Sequence, residues 1–183
     1  MARIERDFLG EKELPDSAYY GVQTLRGMEN FHITGIPMST EPYFVKAFGY
    51  VKKAAALANR DLGVLDARIA EAIAAACDRL IAGEMREQFV TDFIQGGAGT
   101  STNMNANEVI ANLALERLGH QKGEYQYVSP NDHVNFGQST NDVYPTAFRL
   151  ALILRLGSYM DALRHLQDAF FAKGKEFEKV LKM

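Results

Sequence analysis

The chain has 183 residues, 47% of them hydrophobic and 23% charged, which supplies enough apolar material for a core and excludes an intrinsically disordered protein. A formal net charge of −3 argues against a general nucleic-acid binder, and no run of about eighteen apolar residues offers a membrane span. The single cysteine, Cys77, excludes a disulfide framework and a cysteine zinc site.

The length fits one domain, or one domain with part of another. The start, MARIERDFLG, is charged from its third residue and has no apolar leader segment. Together with the lone cysteine this predicts a reducing, cytoplasmic setting. Over residues 1–40, Gly10, Pro15, Gly21, Gly35 and Pro37 punctuate short apolar stretches, so turns and short extended pieces are expected. From Pro42 the pattern turns helical, with Thr40 as the cap and Phe44, Val45, Phe48, Val51, Ala55 and Ala58 on one face. Lys52 and Lys53 read as a solvated charge pair on that helix. Gly63 stops it.

A second helix follows Asp66, with Ile69, Ile73, Ala76, Cys77, Leu80 and Ile81 as its stripe and Gly83 as its stop. Cys77 is expected to be a buried apolar residue, not a reactive thiol. A third helix is predicted from Thr102 to Leu118, its face formed by Val109, Ile110, Leu113 and Leu118, with Gly119 beyond. Residues 120–138 form a polar loop. From about 141 onward one long helix is predicted. Leu152, Leu156, Tyr159, Leu163, Leu166 and Phe170 form a heptad seam, continued by Phe177 and Val180. A rod of some 60 Å is too long for a domain of this size to cover, so partners for the seam are expected elsewhere. The ending at Lys182–Met183 has no cap and reads as a cut through a longer helix.

Two segments combine polar density with a helix start. The first is Gln95 to Asn105, QGGAGTSTNMN; the second is Asn131 to Asp142, NDHVNFGQSTND. Glycines admit close backbone approach, helix amides favour an anion, and hydroxyls add neutral donors. Neither segment is a Walker loop or a dinucleotide fingerprint. Plain helix capping explains each alone; two in one chain point to a small carboxylate or phosphate. His133 lies in the second segment and reads as structural, as do the isolated His32, His120 and His165. No His, Asp and Glu spacing resembles a metal site.

These motifs resemble the aspartase branch of the fumarase/aspartase superfamily. Ala18 to Arg26 (AYYGVQTLR), Gly96 to Asn107 (GGAGTSTNMNAN), and Gly123 to Asn135 (GEYQYVSPNDHVN) with the following QSTNDVYPTA agree with aspartases in order and spacing. Class II fumarases instead carry Trp-Gly-Ala-Gln-Thr-Gln and Gly-Ser-Gly-Thr-Gln-Ser versions, and a histidine where Ser129 stands. The resemblance implies a mostly α fold: an N-terminal helical domain over 1–140, then the first long helix of a central bundle over 141–183. It implies reversible ammonia elimination from L-aspartate to fumarate; no cofactor is expected. Thr100, Ser139 and Thr140 would hold the β-carboxylate and Asn141 the amino end.

The family's base is a serine in a Gly-Ser-Ser-x-Met-Pro-x-Lys-x-Asn-Pro loop, which does not occur in this sequence. Nor does its Gly-Arg-Thr-x-Leu-Gln-Asp motif, so the chain is expected to be inactive alone. In the family, sites are shared among subunits of a homotetramer. A class II fumarase, or a non-catalytic helical module docking through the seam, are the competing expectations; neither membrane nor nucleic acid is an expected partner.

Overall fold

The computed structural model describes residues 2–181. It opens with an antiparallel hairpin of β1 (Ala2–Asp7) and β2 (Gly10–Pro15), with Ala2 facing Pro15 and Asp7 facing Gly10. Five α-helices follow among the described residues: α1 (Val22–Asn30), α2 (Pro42–Asp61), α3 (Ala67–Ala82), α4 (Thr100–Arg117) and α5 (Thr140–Glu176). The mostly α expectation holds.

The first 40 residues are more ordered than their punctuation implied. Helix α1 was not anticipated, because its N-terminus is capped from outside. Glu5 accepts from the Val22 N–H at 2.9 Å, and Glu108 accepts from the N–H groups of Gly21, Gln23 and Thr24 and from the Thr24 hydroxyl. Two carboxylates thus satisfy the free amides and complement the helix dipole. Burial pushes Glu108 up to about 7, while these four donors pull its pKa the other way. A Cβ on Gly21 would meet the Tyr125 hydroxyl at 2.5 Å and Glu5 Oε2 at 2.6 Å, so only glycine fits between them.

α2 and α3 pack closely, because Gly49 brings α2 within reach of Cys77, Leu80 and Ile81. Asp66 caps α3 by accepting from the Arg68 and Ile69 N–H groups, and Gly83 closes it at φ 94°. Both ends are as the sequence predicted, and Cys77 is fully buried. Thr40 does not cap α2; its hydroxyl donates to the Pro37 carbonyl, and the helix starts at Pro42 without a side-chain cap.

Lys52 corrects a second expectation. It is not solvated but fully buried, because the 130–138 segment folds over its face of α2. Lys53 is the partly exposed one and pairs with Asp78 at 2.6 Å.

α4 runs through the middle of the molecule. Its apolar face, Val109, Ile110, Leu113 and Ala114, packs in the core with α2 and α3 residues. Its polar face is buried too, and several side chains there hold loops. Asn105 accepts from Val90 N–H and donates to the Gln88 carbonyl. Asn112 donates to the Tyr19 carbonyl and accepts from Gly123 N–H. The helix begins at Thr100, two residues before the expected start.

Within the loop at 120–138, Pro130–Val134 forms one π turn capped by Ser129. α5 then begins at Thr140, where Ser139 accepts from the Asn141 N–H. Its first turns bury Val143, Ala147 and Ala151 against the core, with Tyr144 edge-on to Phe44 at 5.2 Å. Beyond that the predicted seam is bare: Leu156, Leu163 and Phe170 are 50%, 38% and 71% exposed. The helix stops at Glu176 and turns through Phe177, short of the continuous rod expected. Gly174 in the last turn weakens it. Lys182 and Met183 lie outside the described residues.

Candidate functional site

Both polar segments converge on one cleft. The loop before α4 and the first turn of α5 face each other across a cavity of about 460 Å³, lined by Phe93, Ile94, Gln95, Ala98, Gly99, Asn141, Tyr144 and Pro145. The loop is held from behind. Asp92 accepts from the N–H groups of Ile33, Thr34, Gly35 and Ile94 and from the Thr34 hydroxyl. Burial opposes ionisation of Asp92, but these donors outweigh it and hold the carboxyl below its usual range. Gln95 then folds over the start of α4, accepting from the Thr102 N–H at 2.7 Å and donating to the Thr102 hydroxyl.

The glycines here have separate reasons. Gly99 sits at φ 88°, and a Cβ on it would fall 2.1 Å from the Tyr144 ring. It is the point where the two helix starts touch. Gly97 has φ 68°, while Ala98 takes the left-handed region at φ 53° without being glycine. Such backbone is costly and is held by its surroundings.

The four residues singled out by sequence differ in readiness. Ser139 Oγ accepts from the Asn141 N–H at 3.2 Å, which leaves its own proton to donate. Thr140 Oγ1 accepts from Asn103 Nδ2 at 3.2 Å, which likewise leaves its O–H free. Thr100 is exposed, but its hydroxyl donates to the Gly97 carbonyl at 2.6 Å, so its proton is spent within the loop. Asn141 is exposed on the cleft wall. Pro145 has no N–H, so the Asn141 carbonyl lacks its helical donor four residues on and remains an acceptor at the same wall.

His133 holds its own turn, its Nδ1 accepting from the Ser129 N–H at 2.8 Å. Among the described residues no group of three His, Cys, Asp or Glu stands together as a metal site, and no helix is long and apolar enough to cross a membrane. Sequence reasoning missed Asn103, Asn135, Gln138 and Lys52, which form one hydrogen-bonded cluster behind Thr140. The available signal was asparagine density in a helical segment, where asparagine is a poor helix former unless its amide has work elsewhere.

The chain is 58% identical over 181 residues to an aspartate ammonia-lyase of Helicobacter pylori, covering 99% of this chain and 39% of that protein. It therefore spans about two-fifths of that relative's length. A solved structure described as a fumarate lyase:delta crystallin from Brucella melitensis superposes with a TM-score of 0.93 at 56% identity, covering 98% of this chain and 42% of the other. A class II fumarase from Schistosoma mansoni is more distant, with a TM-score of 0.78 at 37% identity over 83% of this chain and 32% of its own. A family profile described as Lyase matches residues 10–183. On that match, and with a fold shared with these solved structures, the chain belongs to the lyase family of the fumarase/aspartase superfamily.

Proposed function

We propose that this chain supplies part of the substrate site of an aspartate ammonia-lyase, which eliminates ammonia from L-aspartate to give fumarate. The observation that carries this reading is the pair of hydroxyls at the start of α5. Ser139 and Thr140 each accept a hydrogen bond from the protein and keep a proton to give, in a chain similar to aspartate ammonia-lyases. Neutral donors beside a helix N-terminus suit a carboxylate.

The chemistry explains why the donors are neutral. A proton leaves the carbon next to the β-carboxylate, and its electron pair moves into that carboxylate as an aci-carboxylate. The pair then returns to form the C=C bond as the C–N bond breaks and ammonia departs. Charge on the β-carboxylate rises in the middle of this sequence. Fixed donors at those oxygens strengthen as the charge grows, which favours the transition state over the bound dicarboxylate. Ser139 and Thr140 fill that role directly; Thr100 joins them by rotating off the Gly97 carbonyl. Asn141 receives the amino end through its side chain and its free carbonyl.

The base is assigned to a serine loop of a form that does not occur in these 183 residues, so the chain alone is expected to bind dicarboxylates without turnover. The bare seam of α5 supports assembly with further copies, a homotetramer by the resemblance. A cytoplasmic setting suits the free, buried Cys77. Calorimetric titration with fumarate tests the reading. Binding that weakens roughly tenfold in Ser139→Ala and in Thr140→Val, one charge-assisted hydrogen bond each, is the expected result. Unchanged affinity in both variants would remove the assignment.

A further inference from the structure

The cluster behind Thr140 has a direction. Lys52 Nζ donates to Asn135 Oδ1 at 2.8 Å and to Gln138 Oε1 at 3.0 Å. An ammonium has no lone pair and can only donate. It therefore fixes which end of each amide faces it. Asn135 must present oxygen, so its Nδ2 donates to the Gln138 carbonyl at 3.0 Å. Gln138 must do the same, so its Nε2 donates to the Val134 carbonyl at 2.9 Å. With Asn135 Oδ1 an acceptor, Asn103 must turn its Nδ2 toward it, at 3.1 Å, and the same Nδ2 donates to Thr140 Oγ1. Asn103 Oδ1 is left buried without a partner, an arrangement that would not hold unless the other amides imposed it. Thr140, as last acceptor, has its proton directed away from the chain of bonds.

We propose that Lys52 is a positioning residue: its buried ammonium orients Asn135, Gln138 and Asn103 so that Thr140 presents a donor, and not an acceptor, to the dicarboxylate. This assignment rests on the function proposed above. Among the described residues no carboxylate bonds Lys52. Burial lowers its pKa to about 7, so the amine changes charge near neutrality. A neutral amine can accept, and the amides are then free to flip.

The titratable groups on the neighbouring elements are few. From α3, Cys77 is pushed up by burial to about 12 and stays a thiol, and Asp78 bonds Lys53. The π turn carries Asp132, bonded to Ser129, and His133, whose ring is engaged by the Ser129 N–H. α5 contributes exposed Asp142 and half-buried Tyr144, whose phenol burial pushes upward. α4 joins the cluster through Asn103, which is neutral and bonds Asn135.

The test is a pH titration of the ¹⁵N-labelled chain by NMR, from pH 5.5 to 9, without ligand and then with fumarate. The side-chain amides of Asn103, Asn135 and Gln138 and the backbone amide of Thr140 should move with one shared midpoint near that of Lys52. Fumarate affinity should fall roughly tenfold as pH rises through it. Lys52→Met should abolish the shared step and bind fumarate about tenfold more weakly at pH 6, while Lys53→Met and His133→Asn keep both. Amides that stay flat, or titrate with separate midpoints, overturn the proposal, and that outcome needs no variant to fold. So does a folded Lys52→Met with wild-type affinity and wild-type pH dependence. A shared midpoint in a chain that never binds fumarate would instead count against the dicarboxylate reading, which keeps the two failures apart.

Discussion

Helix α4 buries Asn103, Asn105, Asn107, Glu108 and Asn112, whereas α5 from Leu152 onward exposes Leu152, Leu156, Leu163, Leu166 and Phe170. Polarity alone would have put these two surfaces the other way round. The polar side of α4 is inside largely because Asn105, Glu108 and Asn112 replace water for backbone that has no regular partners. The apolar side of α5 is outside because, among the described residues, the helix has another element across from it only as far as Arg155, which pairs with Glu41. A buried asparagine here is a structural ligand for the chain, and an exposed leucine is a face without its counterpart.

The largest way to break that contrast is at Glu108. Replacing it with alanine strands the N–H groups of Gly21, Gln23 and Thr24 and the Thr24 hydroxyl in a dry interior. Breaking such a buried charged network costs about 3–5 kcal/mol. Urea unfolding should show a loss of that order, with the α1 amides losing hydrogen-exchange protection first. A loss below about 1 kcal/mol would mean that water substitutes for the carboxylate.

Lys52 gives the next effect, and its sign is fixed. Its pKa is lowered from 10.5 in the unfolded chain to about 7 in the folded one. Between those values the unfolded state binds more protons, so stability rises with pH across the window from about 7 to 10.5. Below pH 7 the buried charge is a full penalty of a few kcal/mol. Denaturant midpoints measured from pH 6 to 10 should climb in the native chain and lose this climb in Lys52→Met. A native chain without the climb would show that the ammonium is better solvated than its burial indicates.

Much of this was legible in the sequence, and the limits have a physical cause. The ends of α3 were readable because Asp66 and Gly83 act on their own helix. The seam of α5 and the two glycine- and hydroxyl-rich segments were readable for the same reason: local periodicity and local donors. Helix α1 was not, because its caps, Glu5 and Glu108, come from distant positions. Lys52 was misread because helix periodicity cannot show that the 130–138 turn closes over it. The convergence of Gly99 with Tyr144 was also invisible, since only the fold puts the starts of α4 and α5 together.

Gly99 therefore supplies a mid-sized test, at the junction of the two regions. Gly99→Ala meets two penalties, a left-handed φ of 88° and overlap with the Tyr144 ring at 2.1 Å. A loss of about 1–3 kcal/mol is expected, with weaker fumarate binding as the start of α5 is displaced. If Tyr144→Ala in the Gly99→Ala background restores less than half of that loss, backbone strain outweighs the clash.

The smallest effect on stability is the sharpest on assembly. Leu163 and Leu166 lie on the bare face, with neighbours only along their own helix, in a shallow patch shared with Gln167, Phe170 and Phe171. Changing both to glutamate removes no core contact, so the unfolding free energy of the chain should shift by no more than about 0.5 kcal/mol. The same change puts two charges on the surface that self-association would have to bury, which is unfavourable without partners. Sedimentation velocity should show the native chain associating with concentration and the double variant monomeric. Equal monomer content in both would mean that the face is bare in solution as well. A large stability loss in the double variant would mean that α5 folds back on the body of the chain, and the contrast between α4 and α5 would fail at its exposed end.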